Sequence, residues 1–483
     1  MSIGRNAAWN LGGQAIPALL ALVTIPAYLH LLGAERYGVM ALAWLLLGYF
    51  GVFDLGLGRA ATQRISILRD ADAPTRARAL SSALAANLAI GLAGAMVLLP
   101  AAHFAFAQVF RIDPALRAEA LSAVVWIALA LPVATTGGVL GGALMARERF
   151  ATANAISVTT TALFQLLPLG VAIWRGPELP GVLAAAVVAR VLGLGLMWRA
   201  VRREFGPIEP WRWERAEVRA LLAFGGWVAL TSLVAPLLTL TDRFLVGAVV
   251  GAAAVAIYSV PVDLTQRLGA VAAALGNALF PRLALASGEE ATRLVRAGID
   301  ALFVLLTPPV AAGLILADPL FRLWLGDAIG GQAAPLARVM LVAAWFNAFA
   351  QMAFVRLQAQ GRPDLVAKLL LAETPVYLLA LWWALASHGL WGAALVFLAR
   401  MVIDSLGMAY LAGRRLERAW LLLPTLGLFV AACFVLRAMA PIALWPGLGW
   451  AALAAAGLSV AGWQLLPEDL RKRIPSLSTR HRI

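Results

Sequence analysis

Again and again along this chain, about twenty apolar residues run together before a charged stretch interrupts them. A helix needs about 20 predominantly apolar residues to cross the hydrocarbon core of a bilayer. Fourteen such runs are present, at 9–31, 38–57, 80–103, 118–145, 151–174, 180–199, 221–247, 252–280, 299–317, 336–356, 365–386, 389–412, 420–440 and 446–466. Away from water each run must satisfy its own backbone, which a helix does. Only 13% of residues are charged and 62% are hydrophobic, against about 25% charged in soluble domains. The expected fold class is all-α: a polytopic membrane protein of about 14 transmembrane helices.

An even number of spans puts both termini on one side. With the N-terminus inside, 28 of the 39 Arg and Lys fall in inner segments and 7 in outer ones. The positive-inside rule then makes both termini cytoplasmic. The net charge of +14 is thereby explained by topology, with no need of a nucleic-acid partner. The opening MSIGRN leads directly into a full-length span, so no cleavable signal is expected. The sole cysteine, Cys433, excludes an internal disulfide and a cysteine-based metal cluster. The inner loops are basic. One of them, EPWRWERAEVRALL, sets Trp211 and Trp213 beside arginines, as in a helix lying on an anionic membrane surface.

That loop also separates two repeats. VVARVLGLGLM of span 6 aligns with FLARMVIDSLGM of span 12 and brings Arg190 onto Arg400, an offset of 210 residues. ALMARERFATA and RLQAQGRPDLVA end spans 4 and 10; IPAYLHLLG and TDRFLVGAVVG end spans 1 and 7. Six spans per repeat gives both halves one orientation, a transporter plan in which two bundles rock about a site. The expected organisation is a six-helix lobe at 1–200, a basic linker at 201–219, a second six-helix lobe at 220–413, and two further helices with a basic tail at 414–483.

Polar groups at membrane depth carry what chemistry there is. A charge at mid-membrane costs about 2.5–3.5 kcal/mol on insertion scales and marks a bundle interior or wet cavity. Arg190, Arg267 and Arg400 lie near the centres of their spans, and Arg243 nearer the outer end of span 7. Asp54 and Arg59 flank the inner end of span 2. Asp263 with Arg267, and Arg400 with Asp404, are four apart and can pair on one helical face; Asp242 adjoins Arg243, while Arg190 has no acidic residue one turn away. Paired charges of this kind also serve simply to hold helices together. Asn10, Gln14, Asn347 and Gln351 add hydrogen-bonding capacity suited to sugar hydroxyls. Several arginines in one cavity suit a phosphorylated anion, because the guanidinium fork donates two hydrogen bonds at once. No phosphate-cradling loop, metal-spaced histidine pair or large outer loop is present, so the reading is of a non-enzyme without metal or cofactor.

YGVMALAWLLLGYFGVFDLGLGRAATQRIS (Tyr37–Ser66) and DRFLVGAVVGAAAVAIYSVPVDLTQRL with LFPRL (Asp242–Leu283) resemble bacterial polysaccharide exporters. These are the oligosaccharide flippases, including O-antigen flippases, of the multidrug/oligosaccharidyl-lipid/polysaccharide exporter superfamily. The resemblance implies two six-helix lobes around a cationic cavity in the inner membrane. It implies that an undecaprenyl-pyrophosphate-linked oligosaccharide passes from the inner to the outer leaflet by alternating access. Arg190, Arg243, Arg267 and Arg400 would then hold pyrophosphate and acidic sugars, with Arg59 at the inner entrance. Asp242, Asp263, Asp404 and Asp54 would neutralise them or titrate in proton coupling. Membrane lipids and polysaccharide polymerase or assembly proteins are the further implied partners. Two relatives set alternatives. Peptidoglycan-precursor flippases carry an arginine–aspartate pair in span 1, where this chain reads IPAYLHLL; ion-coupled drug exporters often carry an acidic residue there, and this span has none.

Overall fold

The computed structural model describes residues 3–50, 57–68, 70–208, 218–219, 240–286, 288–413 and 444–465. Among them there is no strand. The helices are α1 (Ile3–Phe50), α2 (Leu57–Ile67), α3 (Ala73–Phe104), α4 (Pro114–Ala146), α5 (Phe150–Arg175), α6 (Leu179–Phe205), α7 (Ala252–Leu285), α8 (Gly288–Leu325), α9 (Asp327–Ala359), α10 (Pro363–Leu411) and α11 (Leu444–Leu465). Eight helical stretches among the described residues are long and apolar enough to cross a membrane. Their polarity suits lipid: Val23, Leu379 and Trp174 are 71%, 70% and 80% exposed, while Asp242 is 1% exposed. Span 13, the first part of span 7, Asp54 and the linker residues 209–217 lie outside the described residues.

Two of the long helices are hairpins. Gly33 interrupts α1 with φ 76° and ψ 164°, a left-handed φ that favours glycine. The Tyr28 and Tyr37 rings, nine residues apart, have centroids 6.5 Å apart; a straight helix would separate them by about 13 Å. Thr24 hydrogen-bonds Gln165, and Trp44 stacks against the adjacent Phe164 at 4.8 Å, so both arms of α1 lie against one level of α5. Gly389 reverses α10 in the same way, at φ 59°. A Cβ on Gly392 would run into the carbonyl of Ala384, and one on Gly407 would lie 3.0 Å from Leu369, so the arms are in contact along their length. The arms of α1 correspond to spans 1 and 2, and those of α10 to spans 11 and 12.

The chain divides into two compact units, Met1–Ala256 and Ile257–Ile483. In the first, α3 packs on α4, α4 on α6, and α5 on α6 and α1. Its core includes Leu80, Leu84, Val139, Leu140, Leu144 and Val201. Carboxylates hold both ends of the α5–α6 pair. At one end Glu119 of α4 accepts from Arg36 Nε at 3.1 Å and from the Leu179 backbone N–H at 2.5 Å, so it caps the start of α6 and ties it to the α1 reversal. At the other, Glu204 of α6 accepts from Arg149 Nε at 2.8 Å, with Arg147 at 3.5 Å. Helix α4 starts on Asp113, whose side chain accepts from Ala115 N–H at 2.8 Å, followed by Pro114, a favoured start signal. The helical segment 240–249 belongs here as well: Phe244 stacks on Phe110 at 4.9 Å, and Gly247 O accepts from Arg111 N–H at 3.1 Å.

In the second unit α9 packs between α8 and α10, and α11 packs on α8. The core is aromatic. Trp345, 1% exposed, meets Phe346 and Phe349 edge-on at 5.1 and 4.7 Å. Its ring N–H donates to Thr307 Oγ1 at 3.0 Å, which satisfies a donor that burial would otherwise leave unpaired. Helix α7 approaches α9 closely at Gly276, where a Cβ would meet Val355.

Replacing Glu119 by Ala removes the α6 cap and the Arg36 pair together. It is expected to lower stability by about 1–3 kcal/mol, with Glu119→Gln milder because it keeps an acceptor. Gly392→Val forces a side chain against backbone and is expected to cost a similar ~1–3 kcal/mol. Thermal unfolding in detergent checks both; an unchanged midpoint in either variant refutes that contact.

Candidate functional site

In the first unit the central group is Arg190 of α6. Its guanidinium carbon lies over the Phe164 ring of α5 at 4.6 Å and over the Trp44 ring of α1 at 5.9 Å. The helices come close because α6 carries Gly193 one turn after Arg190. A Cβ there would run into the Thr160 side chain. Pro168 of α5 leaves the Phe164 carbonyl without its helical N–H. At that level Tyr28 OH donates to the Gln165 carbonyl at 2.7 Å, and Thr24 Oγ1 donates to Gln165 Oε1 at 3.0 Å. The aromatic step is thus braced from α1. Among the described residues Arg190 Nε has no hydrogen-bond partner and no carboxylate pairs with the guanidinium. An aromatic ring holds a cation without accepting its N–H groups, which leaves them for an acceptor such as a phosphate.

In the second unit Arg400 stands on the second arm of α10, over the Tyr377 ring of the first arm at 4.8 Å. The repeat is visible in this stack. Phe164 lies twelve residues before Gly176, where α5 ends, and Tyr377 lies twelve before Gly389, where α10 reverses. What differs is the charge around each arginine. Arg400 Nε lies 3.9 Å from Glu373 Oε2, with the two side chains 10% and 8% exposed. Asp404 is itself 8% exposed, and its carboxyl interacts with both Glu373 and Arg400. Arg400 thus pairs with Glu373 across the arms and also acts on Asp404, the partner that the four-residue spacing pointed to. Two carboxyl groups share one guanidinium. In the first unit, Thr160 and Leu194 stand at the positions that match Glu373 and Asp404 in spacing from Gly176 and Arg190.

Asp242 is buried and its Oδ1 accepts from the backbone N–H of Arg243 at 2.7 Å; the Arg243 side chain is half-buried and makes further contacts. On α7, Asp263 is half-buried and partnered, whereas Arg267 is exposed. On α9, Asn347 is exposed and Gln351, one turn on, is half-buried. Arg59 sits in α2, and Asn10 and Gln14 in the first arm of α1; the placement of these three side chains, like Asp54, lies outside what is described. Sequence reasoning missed Phe164, Trp44 and Tyr377, and it counted Glu373 among the acidic groups at membrane depth without giving it a place in the site. Glu373 had a signal, being the only acidic residue within span 11. The aromatics had none, since the contact that matters joins different helices.

Residues 3–286 match the polysaccharide biosynthesis protein family, and residues 228–383 match the MatE family. A Shigella flexneri protein named "Putative O-antigen transporter" is 28% identical over 415 residues, covering 86% of this chain and 98% of that one. Among solved structures, the lipid II flippase MurJ in an inward closed conformation superposes with a TM-score of 0.71 at 11% identity, over 96% of this chain and 99% of that chain. An inward-facing multidrug resistance MATE transporter superposes with a TM-score of 0.66 at 15% identity, over 84% and 98%. Its fold is that of these two membrane proteins, and by its sequence this chain belongs to the polysaccharide biosynthesis protein family.

Proposed function

We propose that this protein flips an undecaprenyl-pyrophosphate-linked oligosaccharide, a polysaccharide repeat unit, from the cytoplasmic to the periplasmic leaflet of a bacterial inner membrane by alternating access. The family and the O-antigen transporter relative support a lipid-linked glycan as cargo. The observation that carries the reading is Arg190: a guanidinium at membrane depth, seated on two aromatic faces with no carboxylate among the described residues. A cation kept that way suits the pyrophosphate. Arg243 and Arg267 add positive charge along the path, with Arg59 and Asp54 at its inner mouth and Asn10, Gln14, Asn347 and Gln351 for sugar hydroxyls. Two six-helix lobes, joined by the basic 201–219 segment and followed by two extra helices, would supply the rocking bodies, with both termini cytoplasmic.

Arg400 takes a different part. Ionised, Glu373 and Asp404 exceed it by one negative charge, and neither Glu373 oxygen has a hydrogen-bond donor among the described residues. A proton held between the two carboxyls supplies that donor and neutralises the cluster. We assign proton coupling to this pair, with Asp242 and Asp263 serving charge balance elsewhere.

Arg190→Ala, at matched expression, is expected to cut surface glycan at least about tenfold, taking the loss of a charged hydrogen-bonded contact as about 1.5–3 kcal/mol. Pyrophosphate-linked glycan should accumulate on the cytoplasmic leaflet. Wild-type export by this variant would refute the anion-site reading; unchanged lipid-linked glycan with altered sensitivity to toxic cations would favour drug export. In proteoliposomes, Glu373→Gln and Asp404→Asn are each expected to abolish the acceleration of flipping by an imposed pH gradient. If both variants still respond to the gradient as wild type does, coupling lies elsewhere.

A further inference from the structure

The two arginine–aromatic stacks share a design and differ in what holds the arginine. In the second unit Glu373 and Asp404 fix Arg400 by charge, and the Tyr377 ring lies beneath. In the first unit Thr160 and Leu194 replace those carboxylates. The orientation of Arg190 is then left to the rings: Phe164 at 4.6 Å, Trp44 at 5.9 Å, and the Trp44–Phe164 contact at 4.8 Å. Phe164 is braced in turn by the hydrogen bonds of Tyr28 and Thr24 to its neighbour Gln165.

We propose that Phe164 and Trp44 are positioning residues that fix the plane of the Arg190 guanidinium and thereby select a diphosphate over a monophosphate. This rests on the reading that Arg190 takes the pyrophosphate. The five N–H groups of a guanidinium lie in its own plane, so a ring that fixes that plane fixes where they point. The guanidinium can offer one pair of donors to one phosphoryl group and the remaining edge to the next, an arrangement open to a diphosphate alone. A guanidinium free to rotate on its stem still attracts phosphate by charge but no longer distinguishes the two. An aromatic face also holds a cation without competing for the N–H groups, since the attraction is to the ring quadrupole.

The test uses the full-length protein in detergent, with geranyl pyrophosphate and geranyl monophosphate as probes and calorimetric titration as the readout. Phe164→Leu is expected to weaken pyrophosphate binding about 3- to 30-fold, the range of a desolvated cation–π contact, and to bring the ratio of pyrophosphate to monophosphate affinity towards unity. The melting temperature should stay near wild type, and Phe164→Tyr, which keeps the ring, should restore both affinity and ratio. Trp44→Leu is expected to do less, because its ring is farther away. If Arg190→Ala binds both probes as wild type does, the anion-site reading itself fails. If Arg190→Ala weakens binding while Phe164→Leu keeps affinity and ratio, the positioning role alone fails. Equal losses in Phe164→Leu and Phe164→Tyr, with a lowered melting temperature, make the ring structural and overturn it. Should Phe164→Leu not fold, Trp44→Leu decides, and an unchanged ratio there refutes the proposal.

Discussion

A polar group removed from water has to find its partner inside the protein, and the architecture follows from that requirement. An unsatisfied backbone N–H or carbonyl in hydrocarbon costs several kcal/mol, so the chain runs as helices, and their ends and breaks are where side chains intervene. The Leu179 N–H is capped by Glu119, a residue sixty positions away, because no local cap is present at Glu178. The Trp345 ring nitrogen is satisfied by Thr307 of a neighbouring helix. Ser405 donates to the Phe346 carbonyl at 2.6 Å. Each of these bonds pins one helix to another, so satisfying polar groups and fixing tertiary positions are one act.

The same requirement explains how the two repeats diverged. Both place an arginine over an aromatic ring set twelve residues before a glycine with positive φ. That spacing is about three and a third turns of helix, which puts the ring deep in the span. In the second unit two carboxyls have accumulated around the arginine; in the first, none of the described residues supplies one. Removing one partner of a buried ion pair costs about 3–5 kcal/mol, so a carboxylate beside Arg190 would have to be displaced at comparable cost by any incoming anion. On the proposed reading, the lack of one among the described residues would leave the Arg190 charge available, and the excess of carboxylate beside Arg400 would close that cluster to anions. One duplicated stack thereby serves two charge states.

Much of this was legible in the sequence, and the limits are physical. The apolar runs showed the helices, because helix length and bilayer thickness are matched by geometry. The alignment of Arg190 with Arg400 showed the repeat, and the structure gives both arginines an aromatic seat. The local rule that charges four apart share a helical face pointed to Arg400–Asp404, and Arg400 does act on Asp404, yet an ion pair to Glu373 across the hairpin joins it. Spacing along one helix says which residues share a face and nothing about what a second helix brings to it. Gly33 and Gly389 illustrate the point from the other side. Gly33 falls between the first two apolar runs and Gly389 opens the twelfth, and the chain turns at each with almost no loop. Phe164 and Trp44 were two aromatics among many until Gly193 brought α6 against α5.

An arginine seated on rings also suits a protein that must let its cargo go. Transport demands binding tight enough to select and loose enough to release. A cation–π seat contributes about 0.5–2 kcal/mol, enough to hold a plane and too little to compete with a phosphate for the charge. On the proposed reading an anion would not have to break an ion pair on arrival, since none of the described residues pairs a carboxylate with Arg190. Its residence is set by solvent instead: two opposite charges 4 Å apart attract by about 4 kcal/mol at an effective dielectric of 20 and by about 1 kcal/mol in water. An aromatic-held Arg190 would grip its anion while the surroundings stay dry and relax that grip when water reaches it, so the access of water that defines alternating states would itself be the release step.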